Sequence, residues 1–117
     1  MTNLEERART FLPLTEPTYL VLAALAEPRH GYGIMQHVEA LSGGRVKLGP
    51  GTLYGALTNL LKQKLIRRAG ETGTTSARRK VYALTPLGEK VLMVEGERLA
   101  SLSKVAIEVS RLLGAMR

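Results

Sequence analysis

Prolines and glycines divide the first 85 residues into short segments, and this division limits what the chain can fold into. Pro17 and Pro50 stand where helices can begin, whereas Pro28 and the pair Gly43-Gly44 stand where helices must end. No proline follows Pro86. The pattern predicts four short helices and then one long helix, over residues 2–12, 15–26, 31–41, 50–63 and 85–116.

Two β-capable segments lie between the last short helix and the long one. They cover residues 65–68 and 78–84 and flank a loop rich in Gly, Thr and Ser at 70–77, a pattern typical of a hairpin. Residues 45–48 alternate over a shorter stretch and predict a single extended rung. This order predicts a winged helix-turn-helix, a mainly α fold (α+β) with a small β-wing, in which 31–41 and 50–63 form the helix-turn-helix pair.

The positive charge is concentrated in the middle of the sequence. The chain has 17 Lys and Arg residues against 10 acidic residues, a net charge of +7. Residues 45–90 contain ten of these bases but only two of the acids, so the two ends are close to neutral. Such a basic segment favours a polyanionic partner, with nucleic acid first and an anionic membrane surface second.

The composition also disfavours several classes of protein. The chain has no cysteine, which excludes disulfides, zinc–thiolate sites and thiol nucleophiles. The longest apolar run, at 19–26, is far shorter than the roughly 20 residues that span a bilayer. The first fourteen residues lack the apolar core of a signal peptide. We therefore expect a cytoplasmic protein with no membrane partner.

The segment GPGTLYGAL at 49–57 raises the question of a phosphate-binding loop. A Walker-type loop needs Gly-Lys-Ser/Thr at its end, but Pro50-Gly51 follow Gly49 here, and the chain has no Asp to hold magnesium. Read as the start of a helix over 50–63, it predicts Leu and Ala on one face. The other face of that helix carries Thr, Tyr, Asn and Lys without a carboxylate, and Gly55 at its centre leaves room for close contact with DNA. A neutral solvent face with an incidental glycine is the alternative.

No set of residues predicts catalysis or a metal site. His30 and His37 lie two helical turns apart, but no third ligand accompanies them on that face. Nothing resembles a Ser-His-Asp triad or a pair of catalytic carboxylates. We therefore expect no enzyme, no metal and no cofactor, and we assign Tyr19 and Tyr32 to the core.

The sequence resembles the PadR family of bacterial transcriptional regulators over residues 18–113. Three signatures carry the resemblance: HGYGI at 30–34, GPGTLYGAL at 49–57 and RKVYALTPLG at 79–88. The resemblance implies a homodimeric repressor that a small molecule usually controls, and the single C-terminal helix is similar to the short subclass. In the family the wing often has two successive aromatics, but Val81 takes the first place here and leaves Tyr82 alone.

Residues of the predicted recognition helix and wing are the candidates for DNA contact. On the helix, Asn59 and Lys62 are expected at base edges, and Thr52, Tyr54 and Thr58 at phosphates or thymine methyl groups. The family resemblance supports Thr52 and Tyr54. Lys47, just before the helix, is expected to bind a phosphate. The wing bases Arg78, Arg79 and Lys80 are expected to bind DNA, with Arg78 and Lys80 on one face and able to bind the backbone or the minor groove. For the wing bases, a charged edge strand that resists aggregation is the alternative.

The C-terminal helix carries an apolar seam with steps of three and four residues, typical of helix pairing. The seam comprises Leu99, Leu102, Ala106, Val109, Leu113 and Met116, and Val105 and Leu112 widen it. A helix of about 30 residues is too long to bury this face on so small a domain. The pattern therefore predicts dimerisation, helped by residues 2–12; the alternative is a helix folded back on its own domain.

The predicted organisation is a winged helix-turn-helix DNA-binding domain at 1–84 and a dimerisation helix at 85–117. Small residues near the seam suggest a cleft for a small apolar effector, bounded by Gly96, Leu99 and Ser103. The function that we favour is a homodimeric repressor of a pseudo-palindromic double-stranded operator. A winged-helix module that docks a protein partner or structured RNA is the alternative.

Overall fold

The computed structural model describes residues 3–72 and 79–117. Five helices and three strands follow one another in the described chain: α1 (Leu4–Arg9), α2 (Glu16–Ala24), β1 (Arg29–His30), α3 (Gly31–Leu41), α4 (Pro50–Lys62), β2 (Ile66–Thr72), β3 (Arg79–Leu84) and α5 (Pro86–Ala115). The strands form one antiparallel sheet in the order β1-β3-β2. The predicted fold class, a mainly α winged helix-turn-helix with a long C-terminal helix, is confirmed. Below, the winged unit means the part from α1 to β3.

The helices begin at the residues whose side chains can cap them. Asn3, Thr15 and Thr85 accept hydrogen bonds from backbone N–H groups three residues further on, as the side chains of N-cap residues do. His30 does the same through Nδ1, which lies 3.0 Å from the nitrogen of Gly33. The start of α4 has no side-chain cap, and Pro50 occupies its first turn.

The predicted rung at 45–48 is wrong, because these residues form no strand. The N–H of Val46 donates to the Ser42 hydroxyl at 2.9 Å, so the turn after α3 uses this backbone group for its own closure. The third strand is β1, in which Arg29 pairs with Tyr82 and His30 with Val81. The sheet thus joins the wing directly to the first residue of α3.

The core lies where α2, α3, α4 and the start of α5 meet. Leu20, Val21, Leu22 and Ala24 of α2 are all buried, as the apolarity of this segment on every side predicts. From the other elements the largest fully buried apolar side chains are those of Leu25, Ile34, Val38, Leu53, Leu57, Leu65, Val91 and Val94. One apolar cluster therefore fixes the recognition helix against the rest of the winged unit.

The start of α5 lies directly on the backbone that leads into β2. The N–H of Thr85 donates to the Leu65 carbonyl at 3.1 Å, and the Thr85 hydroxyl donates to the Lys64 carbonyl at 2.6 Å. A Cβ atom at Gly88 would lie 1.9 Å from the Leu65 oxygen, so only glycine permits this approach. The contact holds the first turn of α5 against the backbone that leads into the hairpin.

Burial along α5 ends abruptly after its first third. Leu87, Gly88, Val91, Val94 and Glu95 are buried, whereas every residue from 100 to 117 is exposed. α1 packs on the buried part of the same helix through Ala8, and Lys90 forms a 3.6 Å ion pair with Glu5. The second half of α5 projects away from the winged unit instead of folding back on it.

Candidate nucleic-acid interface

The two faces of α4 divide as the sequence pattern predicts. Leu53, Leu57 and Leu60 are buried in the core. The residues predicted to face DNA are all exposed: Thr52, Tyr54, Gly55, Thr58, Asn59 and Lys62. A Cβ atom at Gly55 would meet nothing within 4 Å, so the fold itself has no need of a glycine there. Glycine costs up to ~1 kcal/mol of helix propensity relative to alanine. Close approach of a binding partner to this face of α4 would account for a glycine at this position.

A cleft of about 630 Å³ separates α4 from the wing; we call it the wing cleft. Among the described residues, three cationic side chains line it: Arg68, Arg79 and Lys80. Four lining side chains bear hydroxyl groups: Tyr32, Tyr54, Thr58 and Tyr82. Cations and hydroxyl groups are the side-chain chemistry that contacts nucleic-acid phosphates. No carboxylate lines the cleft within residues 3–72 and 79–117, so this described part of it is suited to a polyanion.

The assignment of Tyr32 to the core is wrong. Its side chain is 54% exposed, because the inward positions at the start of α3 are taken by Gly31 and Ile34. The guanidinium carbon of Arg79 lies 6.0 Å from the centroid of the Tyr32 ring, at the limit of a cation–π contact. This contact brings the wing strand β3 next to α3. Tyr19, the other tyrosine assigned to the core, is half-buried.

A contact between α3 and α4 joins one residue from each of two sequence signatures, HGYGI and GPGTLYGAL. A Cβ atom at Gly31 would lie 2.7 Å from the hydroxyl oxygen of Tyr54, so glycine lets the tyrosine lie against the start of α3. Tyr54 keeps half of its surface exposed at the edge of the wing cleft. The hydroxyl of Thr58 donates to the Tyr54 carbonyl at 2.8 Å, which leaves its oxygen and methyl group for outside contacts.

Asn59 lies apart from the residues around the wing cleft. It borders a second, smaller cleft of about 200 Å³, which we call the linker cleft, between α4 and the α1–α2 linker (residues 10–15). Phe11, Leu14 and Thr15 line the linker cleft from the other side. The structure therefore brings Tyr54 and Thr58 together with Arg79 and Lys80, but places Asn59 on the flank of α4 that faces the linker.

The remaining predicted cations differ in their surroundings. Lys47 is exposed and lies 3.5 Å from Glu39, an ion pair of a kind worth about 1 kcal/mol or less, so a phosphate can replace the carboxylate. Arg45 lies 2.6 Å from Glu16, and the hydrogen bond to Glu16 raises the pKa of Arg45. Arg78 lies outside the described residues.

Sequence reasoning missed two residues of the wing cleft, Arg68 and Tyr32. Arg68 pairs with Tyr82 across the hairpin, and a β-bulge shifts the register between Arg68 and Gly70. The register is regular from Ile66 to Arg68 and the bulge follows Arg68, so the position of Arg68 does not depend on the bulge. The Arg67-Arg68 pair was a signal for it, because one residue of such a pair must face each side of a strand.

Other kinds of site lack support in the part of the chain that is described. Residues 3–72 and 79–117 contain no group of three or more His, Cys, Asp or Glu side chains that could hold a metal ion. Among the same residues, no helix combines the length and apolarity that crossing a membrane requires.

A curated protein is similar in sequence to most of this chain. A curated relative, an uncharacterized 37.1 kDa protein in a transposon of Streptomyces fradiae, is 46% identical over 85 residues, which are 72% of this chain and 23% of the relative. The chain thus spans about a quarter of that protein.

Solved structures share the fold. A PadR-like transcription factor from Bacteroides fragilis is 31% identical with a TM-score of 0.58, over 81% of this chain and 87% of the other. Bacillus subtilis PadR in complex with operator DNA is 23% identical, with a TM-score of 0.58 over 65% of this chain and 44% of that protein.

The family itself is identified by a sequence match rather than by shape. The model of the transcriptional regulator PadR-like family matches residues 20–94, which is more than half of the chain. The matched range runs from α2 through the helix-turn-helix pair and the wing to the buried part of α5. The chain therefore belongs to the PadR-like family of transcriptional regulators.

Proposed function

We propose that this protein is a cytoplasmic, homodimeric repressor that binds a pseudo-palindromic operator in double-stranded DNA. The observation that carries the proposal is the exposed, acid-free face of α4 beside the wing cleft with its three cations. The complex of Bacillus subtilis PadR with operator DNA supports the same kind of partner. In this reading α4 enters the major groove and the wing lies along the flanking backbone.

The residues around the two clefts are assigned different roles in DNA binding. Arg68, Arg79 and Lys80 bind phosphates beside the wing, as does Arg78, which lies outside the described residues, and Lys47 binds one before α4. Tyr54, Thr58 and Thr52 contact phosphates or thymine methyl groups, while Gly55 allows close approach. Asn59 and Lys62 contact base edges. Because Asn59 lies on the linker side, it reads a base at one edge of the half-site.

The dimer would form through the exposed half of α5, so that residues 85–117 act as a dimerisation helix beside a DNA-binding domain at 1–84. The exposed apolar side chains form what we call the apolar stripe: Leu102, Val105, Ala106, Val109, Leu112, Leu113 and Met116. Seven such positions at helical spacing on an uncovered helix are typical of a pairing surface. Leu99, half-buried, begins the predicted seam. Twofold pairing sets the two recognition helices about 34 Å apart, one turn of DNA.

A small apolar effector would bind where α5 leaves the winged unit, between Gly96, Leu99 and Ser103. A Cβ atom at Gly96 would lie 3.4 Å from the hydroxyl oxygen of Tyr19, so this side of the cleft is bounded by α2. Ser103 is exposed. An effector acts only if it binds two arrangements of the winged units with different affinity.

A mobility-shift titration with the protein's own promoter region tests the proposal. Repeated at several salt concentrations, a DNA-binding dimer shows a steep fall of affinity with salt and prefers the promoter over scrambled duplex. Absence of any preference would favour the docking of a protein or structured RNA instead. Within this assay, Lys80→Ala should weaken all duplexes alike and reduce the salt slope by about 1, while Asn59→Ala should relax selectivity at one base pair.

A further inference from the structure

Glu95 is a carboxylate in the core at the point where α5 leaves the winged unit. Its side chain is fully buried, and no later residue of α5 is buried. It lies on the face of α5 that also carries Val91 and Val94. An apolar side chain would fill such a position without the desolvation cost of a charge. Packing alone therefore does not explain why a carboxylate occupies this position.

Hydrogen bonds to Glu95 come from two separate elements. The N–H of Leu14, in the α1–α2 linker, donates to Oε2 at 2.7 Å. Arg98 donates to both carboxylate oxygens, from Nε to Oε1 at 2.5 Å and from Nη2 to Oε2 at 3.1 Å. A bidentate guanidinium–carboxylate pair has a narrow preferred geometry. Arg98, on the same helix, thus orients the Glu95 carboxylate, and the carboxylate in turn accepts a hydrogen bond from the backbone of the linker.

The same linker also borders the recognition helix. Leu14 lines the linker cleft together with Asn59 and Leu60 of α4. Thr15, the next residue, caps α2. The linker therefore faces α4 across the linker cleft and is bonded to α5 by Glu95, so the Glu95 contact places the linker between the recognition helix and the helix that would form the dimer.

Small changes of angle at this point have large effects further along α5. Val109, near the middle of the apolar stripe, lies about 20 Å along the helix from Glu95. A tilt of about 10° at Glu95 moves that point by about 3.5 Å, close to the rise of one base pair along DNA. In this pair the Glu95 side chain is buried and the Arg98 side chain is exposed. Ion pairs that bury a charge contribute little net stability compared with apolar side chains, but in some proteins they select one geometry.

We infer that Glu95 is a positioning residue: with Arg98 and the Leu14 N–H it sets the angle between α5 and the winged unit, and thereby the distance between the two recognition helices. The inference rests on the proposed dimeric operator binding. It assigns to Glu95 a role in selecting the spacing of half-sites, and not in contacting DNA.

A spacing series of operators tests this role. The probes are duplexes that carry the two footprinted half-sites separated by the natural spacer or by spacers one and two base pairs shorter or longer, and a duplex with a single half-site. Glu95→Gln keeps the size of the side chain and an acceptor for Leu14 but removes the charge that aligns Arg98. Glu97→Gln, an exposed carboxylate two residues away, is the matched control.

Wild type and Glu97→Gln should bind the natural spacing at least tenfold more tightly than spacers altered by one base pair. Glu95→Gln should lose most of this preference, to threefold or less, with unchanged affinity for the single half-site and an unchanged dimer by light scattering. A Glu95→Gln dimer that keeps the full spacing preference overturns the inference.

Measurements on a second variant and on the wild type separate a failure of the inference from misfolding of Glu95→Gln and from failure of the proposed function. If Glu95→Gln does not fold, Arg98→Gln, which leaves Glu95 and the Leu14 bond in place, must show the same loss of spacing preference, and its retention overturns the inference. If wild-type protein itself shows no spacing preference, the proposed dimeric operator binding fails, and the role of Glu95 fails with it.

Discussion

The two halves of α5 carry the same kind of apolar stripe but differ in what covers it. In the first half the core-facing side chains of Leu87, Val91 and Val94 are buried against the winged unit, whereas from Leu102 to Met116 the apolar side chains are exposed. Helical spacing is continuous across the boundary, so the local sequence pattern is the same on both sides. The first part of α5 thus packs in the core of its own chain, and the second part leaves a similar row of apolar side chains exposed.

The largest difference between the two halves should be in the free energy of unfolding when a glycine in each half is replaced by alanine. Gly88→Ala places a Cβ atom against the Leu65 carbonyl, and should lower the free energy of unfolding by about 3 kcal/mol or more. Gly114→Ala, in the exposed half, meets nothing within 4 Å and should leave it unchanged or raise it by about 0.5 kcal/mol. Urea unfolding at one protein concentration measures both; equal stabilities would contradict the close contact at Gly88.

The next effect concerns the exposed half as a pairing surface. Leu102→Glu should yield a monomer by light scattering and weaken operator binding by about 100-fold, because one half-site then binds alone. Ile107 is also exposed but lies off the apolar stripe, so Ile107→Glu is the matched control and should remain a dimer. A dimeric Leu102→Glu protein would show that another surface holds the protomers together.

A smaller effect compares two ion pairs with the same spacing, one in each region. Glu95 and Arg98 meet at the buried boundary, and Glu108 and Arg111 meet in the exposed half, each with two hydrogen bonds. Glu95→Gln should lower the free energy of unfolding by about 1–3 kcal/mol, as the loss of a charged hydrogen bond does. Glu108→Gln should lower it by about 0.5 kcal/mol or less, because exposed pairs contribute little.

The pH dependence of stability sharpens this comparison. The hydrogen bonds from Arg98 lower the pKa of Glu95 in the folded protein. A carboxyl group whose pKa is lower in the folded than in the unfolded protein stabilises the fold at pH values above its unfolded pKa of about 4.3. This contribution is lost as the pH falls through the pKa of the group in the folded protein. Wild type and Glu108→Gln should therefore lose stability more steeply below about pH 5 than Glu95→Gln. Equal slopes in all three proteins would contradict a stabilising charge at Glu95.

Much of the fold followed from local signals in the sequence. Thr15 and Thr85 before Pro17 and Pro86 mark helix starts, and the apolar run at 19–26 marks the central helix. The split of α4 into an apolar and a polar face placed Tyr54 and Thr58 on the exposed side. These features depend on neighbours within one or two turns of helix, which is the range over which a sequence pattern can be read.

The features that were missed depend on contacts between distant segments. β1 has two residues, too few for any periodicity, and exists because Arg29 and His30 pair with β3. The separation of Asn59 from the wing depends on how the α1–α2 linker lies against α4. The burial of Glu95 depends on the N–H of Leu14, 81 residues earlier in the chain. A helical wheel contains none of this information.

The contact between Gly31 and Tyr54 has a consequence for how related sequences can vary. The two residues belong to different signatures, 23 positions apart, yet they occupy one volume at the junction of α3 and α4. A side chain at position 31 requires the Tyr54 ring to move outward, and a smaller residue at position 54 removes this requirement. Across relatives the two positions should therefore change together, with residues larger than glycine at the first accompanied by residues smaller than tyrosine at the second.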